Sequence, residues 1–360
     1  PNRDILDLTF VDDNYLDGDE ADIVWASDSI QERFECKDLE WVPTDGTPVD
    51  YLGMEMSIDS ERTYLSMEKY ITNALEFLGW SALKPVKVPI RKPIDTEAPA
   101  LVGAESSKFH TALGMLGWLS STNRPDCALA YSRIGQHQAT PNKSSMEAVE
   151  YAFRYLSGTR RLCLSGPLHS PDVDLSAASA FDPVHNDQFG WEFFCDSDFA
   201  GNSEKQNKRR SQNGTLATLN SVPVFWASKA TSVAFASEDI GEAHADTSSS
   251  AAEVFVAGNA TKDILHLKYV CEEMGIPFPK PFKLQMDNDA ARCFANDSTF
   301  KSKLKHIDCR QEWVCLLRDK EICIPVRVDT KDNLADIFTK ILPEFDFVRL
   351  RDRIMYNPDA

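Results

Sequence analysis

Residues 190–202 read GWEFFCDSDFAGN, and residues 333–340 read NLADIFTK. The first stretch predicts a strand over 190–195 that runs into Asp196. The second predicts a helix from about residue 333, with Asp336 in its opening turn. Between them, apolar and β-branched runs predict strands at 213–220 and 222–228, turning near Asn220. A long helix is expected at about 250–274, stopped by Gly275 with Pro277 beyond. A strand at 282–286, a short helix at 288–296, a helix at 303–319 and a strand at 322–328 complete the series. Three antiparallel strands followed by alternating helices and strands imply an α/β (α+β) architecture, a mixed sheet flanked by helices.

Upstream, residues 165–188 (SGPLHSPDVDLSAASAFDPVHNDQ) are rich in Ser, Pro and Asp and mark a domain boundary. Residues 68–164 read as mostly helical, with periodicity at 107–121, 126–137 and 144–157 and breaks at Arg124-Pro125 and Thr140-Pro141. LKPVKVPIRKPIDTEAPA (83–100) is an extended linker. Strands are expected at 51–57 and 63–67 around the turn DSER. Residues 5–11 (ILDLTFV) predict a strand ending in Asp12-Asp13, then a polar acidic stretch and a helix over 21–37 carrying Ile23, Ile30 and Phe34 on one stripe.

Hydrophobic residues make up 42% of the 360 and charged residues 26%, values of a folded globular chain. No apolar run approaches the ~18 residues of a membrane span, and no basic-then-apolar leader precedes the first strand. A chain that begins at Pro1 reads as a piece of something longer. Nine cysteines at wide spacings, with no C-x-x-C, argue against a disulfide framework or zinc knuckle and for a reducing compartment. The net charge of −18 is uneven. Residues 1–50 hold 15 acidic and 3 basic groups, leaving 41 acidic and 35 basic in the rest. That near-neutral remainder is compatible with local basic faces.

Four carboxylates sit at element boundaries: Asp196, Glu253 in SSSAAEVF, Asp287 in LQMDNDAA, and Asp336. Such a set suits two-metal phosphodiester chemistry, because hard Mg²⁺ prefers carboxylate oxygens and neutralises a cluster that would otherwise repel itself. Each acid also has a plain structural reading. Asp196 fits a turn, Glu253 a capping box, Asp287 an N-cap, and Asp336 a helix dipole. Spacing alone does not bring the four together.

The order CDSD, S-x-A-E, DN, N-x-A-D-I-F-T-K resembles the ribonuclease H domain of copia-type LTR retrotransposons. RRSQNGTLATL, VFWASK and LKHIDCR match further landmarks of that family in sequence order. The resemblance implies a ribonuclease H-like five-stranded mixed sheet over 188–360. It also implies a nuclease that cuts RNA in RNA–DNA hybrids, with Asp196, Glu253, Asp287 and Asp336 holding two Mg²⁺, or Mn²⁺. Asp198 is placed outside the metal set, because the chain is expected to turn at Ser197. Two departures stand out. Ala251 replaces an acid usual in the family, and Val328 to Asp332 contain no His where cellular ribonucleases H have one.

Phe10-Val11-Asp12-Asp13 resembles the Y/F-x-D-D motif of reverse transcriptases, in which paired carboxylates bind the polymerase metals. YLGMEM, NRPD and RYLSGT resemble later copia landmarks. The solvated acidic turn is the alternative reading of Asp12 and Asp13. The resemblance implies the end of a polymerase palm at 1–80, a helical thumb/connection region at 81–168, a linker at 169–187 and the nuclease at 188–360. The third polymerase Asp is expected upstream, so polymerisation by this piece alone is not expected. Lys205, Lys208, Arg209 and Arg210, with Lys305 and His306, are candidate phosphate contacts, each with a solvated-face or structural alternative. Partners implied are an RNA–DNA hybrid and the remaining polymerase portion of a Pol polyprotein, with no membrane. The implied location is cytoplasmic, in a virus-like particle, or nuclear, and not secreted. The rival reading is a non-catalytic nucleic-acid-binding remnant of a decayed element.

Overall fold

The computed structural model describes residues 5–11, 13–168, 190–198, 211–230, 249–286 and 305–359, with the backbone alone at 249–254 and 305–311. The strand β1 (Ile5–Phe10) pairs antiparallel with β2 (Asp13–Gly18), Phe10 opposite Asp13. β2 forms on DNYLDG, a run with little apolar content, and its backbone ladder with β1 supplies what its side chains do not. The following helix α1 (Glu20–Gln31) stops well short of residue 37. Only Ile23 of the expected stripe is buried, and Phe34 is 68% exposed, so the final turn has nothing to pack against.

The strand expected at 51–57 is two strands. β3 (Val49–Tyr51) and β4 (Met54–Ile58) are joined through Leu52 and Gly53, with φ of 51° and 76°. Two successive positive φ values make the hairpin turn that matches strand twist, and Gly53 supplies one without strain. β5 (Arg62–Ser66) continues the meander into α2 (Glu68–Phe77). Helices α3 (Gly103–Thr122), α4 (Ala128–Gly135) and α5 (Lys143–Gly158) follow the predicted periodicity. Asn142 caps α5 in a reciprocal capping box with Ser145. The strand β6 (Leu164–Pro167) was not expected, since LSGP carries turn residues. It pairs antiparallel with β5 and closes a four-stranded sheet, β3-β4-β5-β6.

The second sheet has five strands. β7 (Trp191–Asp198), β8 (Gln212–Leu219) and β9 (Val222–Ala230) run antiparallel, turning at Asn220 and Ser221. After α6 (Ser249–Glu273), β10 (Phe282–Met286) lies parallel to β7. After α7 (Lys305–Asp319), β11 (Cys323–Arg327) lies parallel to β10. The order β11-β10-β7-β8-β9 is the mixed five-stranded arrangement expected, in an α+β chain. The short helix expected at 288–296 lies outside the described residues. The helix expected from 333 is instead two 3₁₀ segments, Thr330–Asp332 and Leu334–Phe338, and an α-helix, α8 (Glu344–Arg351), begins only after Pro343.

Alternation along β7 assigns its two faces. Trp191, Phe193 and Cys195 enter a core with Ala217, Leu284, Val256, Ala260 and Val314, beneath α6 and α7. Phe194 enters a different core, together with Leu216, Leu334, Phe338 and the buried residues of α3, α4 and α5. The sheet is therefore covered on both faces, one by its own helices and the other by the helical region and the 3₁₀ segment. Two indole and amide contacts mark the second interface: Trp226 Nε1 donates to the Ser120 carbonyl at 2.7 Å, and Gln212 Nε2 to Ser132 Oγ at 2.9 Å.

Candidate active site

β7 does not end at Asp196, and the chain does not turn at Ser197. Asp196 pairs with Gly214, and Asp198 with Gln212, in an unbroken ladder. Two-residue spacing puts both carboxylates on the Phe194 face, toward the helical region. Asp196 is 1% exposed. A carboxylate so buried needs partners, and the 3₁₀ segment supplies them. Thr339 Oγ1 donates to Asp196 Oδ2, and Lys340 Nζ donates to Asp196 Oδ1 at 3.3 Å and to Asp336 Oδ1 at 2.8 Å.

The sequence NLADIFTK is explained by this docking. Asn333 Nδ2 donates to the carbonyl of Cys195 at 3.2 Å, and its Oδ1 accepts from the amide of Ala335 at 3.1 Å. It thus caps the 3₁₀ turn and fastens it to β7 in one step. Leu334, Ile337 and Phe338 fill the core behind it. Opposite them, Gly214 of β8 carries no side chain, and a Cβ there would lie 2.9 Å from the Ala335 carbonyl, Phe338 Cβ and Thr339 Cγ2. Asp336 is thereby held beside Asp196 although it does not open an α-helix. The pair converges on a single ammonium group, that of Lys340.

Asp198 is half-buried. Burial pushes its carboxyl above the ordinary range, opposed by the nearby Arg133 guanidinium and reinforced by Asp196. Arg133, from α4, places Nη2 3.5 Å from Asp198 Oδ2 and 3.4 Å from the Thr339 carbonyl.

The other expected site residues are less fully placed. Glu253 lies in the first turns of α6, which packs against β7, and only its backbone is described. Asp287 lies outside the described residues. Met286, just before it, stands opposite Cys195, so β10 ends beside the residue preceding Asp196. Lys305 and His306 open α7, again as backbone alone. Lys205, Lys208, Arg209 and Arg210 lie outside the described residues, as does Asp12. Asp13 starts β2 and is exposed. Among the described residues, no three His, Cys, Asp or Glu side chains form a metal-ligand group. Thr339 and Lys340 were within reach of sequence reasoning, because they belong to the NLADIFTK motif. Arg133 had no such signal, being one of several polar residues on a helix.

The sequence matches along almost its full length to retrovirus-related Pol polyproteins of plant transposons. It is 27% identical to that of transposon TNT 1-94 from Nicotiana tabacum and 25% identical to that of RE1 from Arabidopsis thaliana, each match covering 96% of this chain. The chain is similar to retrotransposon Pol polyproteins. It spans 24% of the length of the first relative and 21% of the second. A putative protein of transposon Ty5-1 from Saccharomyces cerevisiae is 24% identical over 46% of this chain. No family model and no solved structure matches. No described helix is long and apolar enough to cross a membrane.

Proposed function

We propose that this segment of a Pol polyprotein is a ribonuclease H-type nuclease that hydrolyses the RNA strand of an RNA–DNA hybrid. The observation that carries the reading is the meeting of Asp196 and Asp336 around one cationic atom, on the central strand of a mixed five-stranded sheet. Their sequence order with Glu253 and Asp287, and the descent of β10 alongside Cys195, support the same assignment. Asp196, Glu253, Asp287 and Asp336 would hold two Mg²⁺, or Mn²⁺. Such ions, when bound, supply the positive charge that a scissile phosphate needs.

The chain's own residues have separable tasks. Thr339 holds the Asp196 carboxylate, and Asn333 fastens the segment that carries Asp336 to β7, before substrate arrives, so little reorganisation is left to the reaction. Lys340 bridges both acids in the ion-free chain and offsets one of their two negative charges. The basic residues 205–210, with Lys305 and His306, would hold phosphates without reading sequence. The chain would act as one portion of a reverse transcriptase, working on hybrids made by the polymerase portion.

The test is cleavage of an end-labelled RNA–DNA hybrid by the full chain in Mg²⁺, beside Asp196→Asn and Asp287→Asn. Cutting confined to the RNA strand and lost in both variants is expected. A folded chain that binds hybrid but does not cut, in Mg²⁺ or Mn²⁺, would overturn the nuclease reading in favour of the binding remnant.

A further inference from the structure

Arg133 belongs to the helical region, yet its guanidinium reaches the acids of the sheet. One nitrogen, Nη2, lies 3.5 Å from Asp198 Oδ2 and 3.4 Å from the carbonyl of Thr339. Asp198 lies on β7 two residues beyond Asp196. Thr339 lies three residues beyond Asp336 and itself donates to Asp196. A single side chain therefore touches both segments that carry the candidate site. Arg133 is 8% exposed, so its charge has been taken out of water and held in this place by design of the packing. Surrounding contacts fix α4 against the same face: Ser132 accepts from Gln212, Gln212 also donates to Ser228 Oγ at 2.9 Å, and Ser228 donates to the Phe338 carbonyl at 2.6 Å.

We infer that Arg133 is a positioning residue of the nuclease site, so that the site is completed by the helical region and is not a property of the five-stranded sheet alone. The inference rests on the metal-site reading above. Its guanidinium meets Asp198 and the Thr339 carbonyl. It acts through Asp198 and the Thr339 backbone, drawing β7 and the 3₁₀ segment together. Without it, three acids on adjoining segments repel, and the pair Asp196 and Asp336 opens.

The positional role and a plain charge role predict opposite signs. Deleting a nearby positive charge should by itself tighten cation binding. Losing a positioning contact should weaken it, by roughly 10-fold, as outer-shell changes around metal ligands do. The experiment is calorimetric titration of the full chain with Mn²⁺, comparing wild type, Asp336→Asn, Arg133→Met, Arg133→Lys, Asp198→Asn and the Arg133→Met/Asp198→Asn double variant. Binding should vanish in Asp336→Asn, weaken roughly 10-fold in Arg133→Met, and recover in large part in Arg133→Lys. Adding Arg133→Met to Asp198→Asn should cost little more, because the two residues act as a unit. Equal or tighter binding in Arg133→Met, or additive losses in the double variant, overturns the inference. If Arg133→Met does not fold, Arg133→Gln decides by the same criterion. Binding indifferent to Asp336→Asn removes the metal reading itself and this inference with it. Binding lost in Asp336→Asn but untouched in Arg133→Met overturns the inference alone.

Discussion

Thr339 donates its hydroxyl hydrogen to Oδ2 of Asp196, joining the 3₁₀ segment to the central strand of the sheet. Both residues are buried, so the hydrogen bond stands in place of water that the carboxylate has lost. Thr339→Val keeps the shape and deletes the donor. It is expected to lower unfolding free energy by about 1.5–3 kcal/mol, the range for a bond to a charged group. Thr339→Ser keeps the donor and should fall within about 1 kcal/mol of wild type, having lost one methyl. Urea denaturation of the two variants checks this, and equal losses would mean that packing of the methyl, not the hydroxyl, matters.

Gly214 is required by close approach, not by backbone conformation. A Cβ at that position would meet the Ala335 carbonyl, Phe338 Cβ and Thr339 Cγ2, all at 2.9 Å. Two of those atoms are backbone or Cβ and cannot swing aside. Gly214→Ala should therefore push the 3₁₀ segment off the sheet and cost about 1–3 kcal/mol. It should also reduce nuclease activity, since the same segment carries Asp336. A thermal melt unchanged from wild type would show that the segment shifts freely.

In the NRPD motif, Arg124 and Asp126 form a fully buried, two-pronged ion pair, at 2.9 Å and 2.7 Å. Tyr155 Oη donates to Asp126 Oδ2 at 2.5 Å, and Arg124 donates to both the hydroxyl and the carbonyl of Thr159 at 2.8 Å and 3.0 Å. This network ties the end of α3 to the end of α5, joining NRPD to RYLSGT in space. Asp126→Asn leaves the guanidinium buried without its counter-charge and should cost about 3–5 kcal/mol. Tyr155→Phe removes one bond to a charged group, for about 1.5–3 kcal/mol. Chemical denaturation should rank them in that order.

What the sequence revealed follows from what repeats locally. Helices α3 to α5 announced themselves by periodicity, and strands β7 to β11 by short apolar runs between turn residues. β6 was not legible, because LSGP becomes a strand only when β5 offers an edge. The expected turn at Ser197 failed for a related reason: polar residues usually leave a sheet, but Asp196 and Asp198 are kept in β7 by partners far away in sequence. Asp196 and Asp336 could be named from their motifs. Their meeting could not, since it depends on the absent side chain of Gly214 and the two-sided bond of Asn333. Arg133 was beyond reach altogether, because its role is defined only by the face of the sheet it meets.

Among the cysteines whose side chains are described none forms a disulfide, and their environments differ sharply. Cys36 is exposed, whereas Cys127, Cys163, Cys195, Cys271 and Cys323 are buried. Burial pushes the Cys163 and Cys271 thiols up to about 11, because a thiolate would lose its hydration there. At pH 8 the native chain should therefore react with a thiol reagent at Cys36 in preference to these five, and Cys163 and Cys271 should label only after denaturation. The sign for stability follows from the same shift. In the unfolded chain a thiol ionises near ~8.5, so below that pH both states are protonated and burial costs nothing. Above it the unfolded state releases protons that the folded state keeps, and stability falls as pH rises toward 11. The urea midpoint should accordingly drop between pH 8 and pH 10.5, and drop less in the Cys163→Ala/Cys271→Ala variant. A double variant with the same alkaline slope as wild type would assign the loss to other groups.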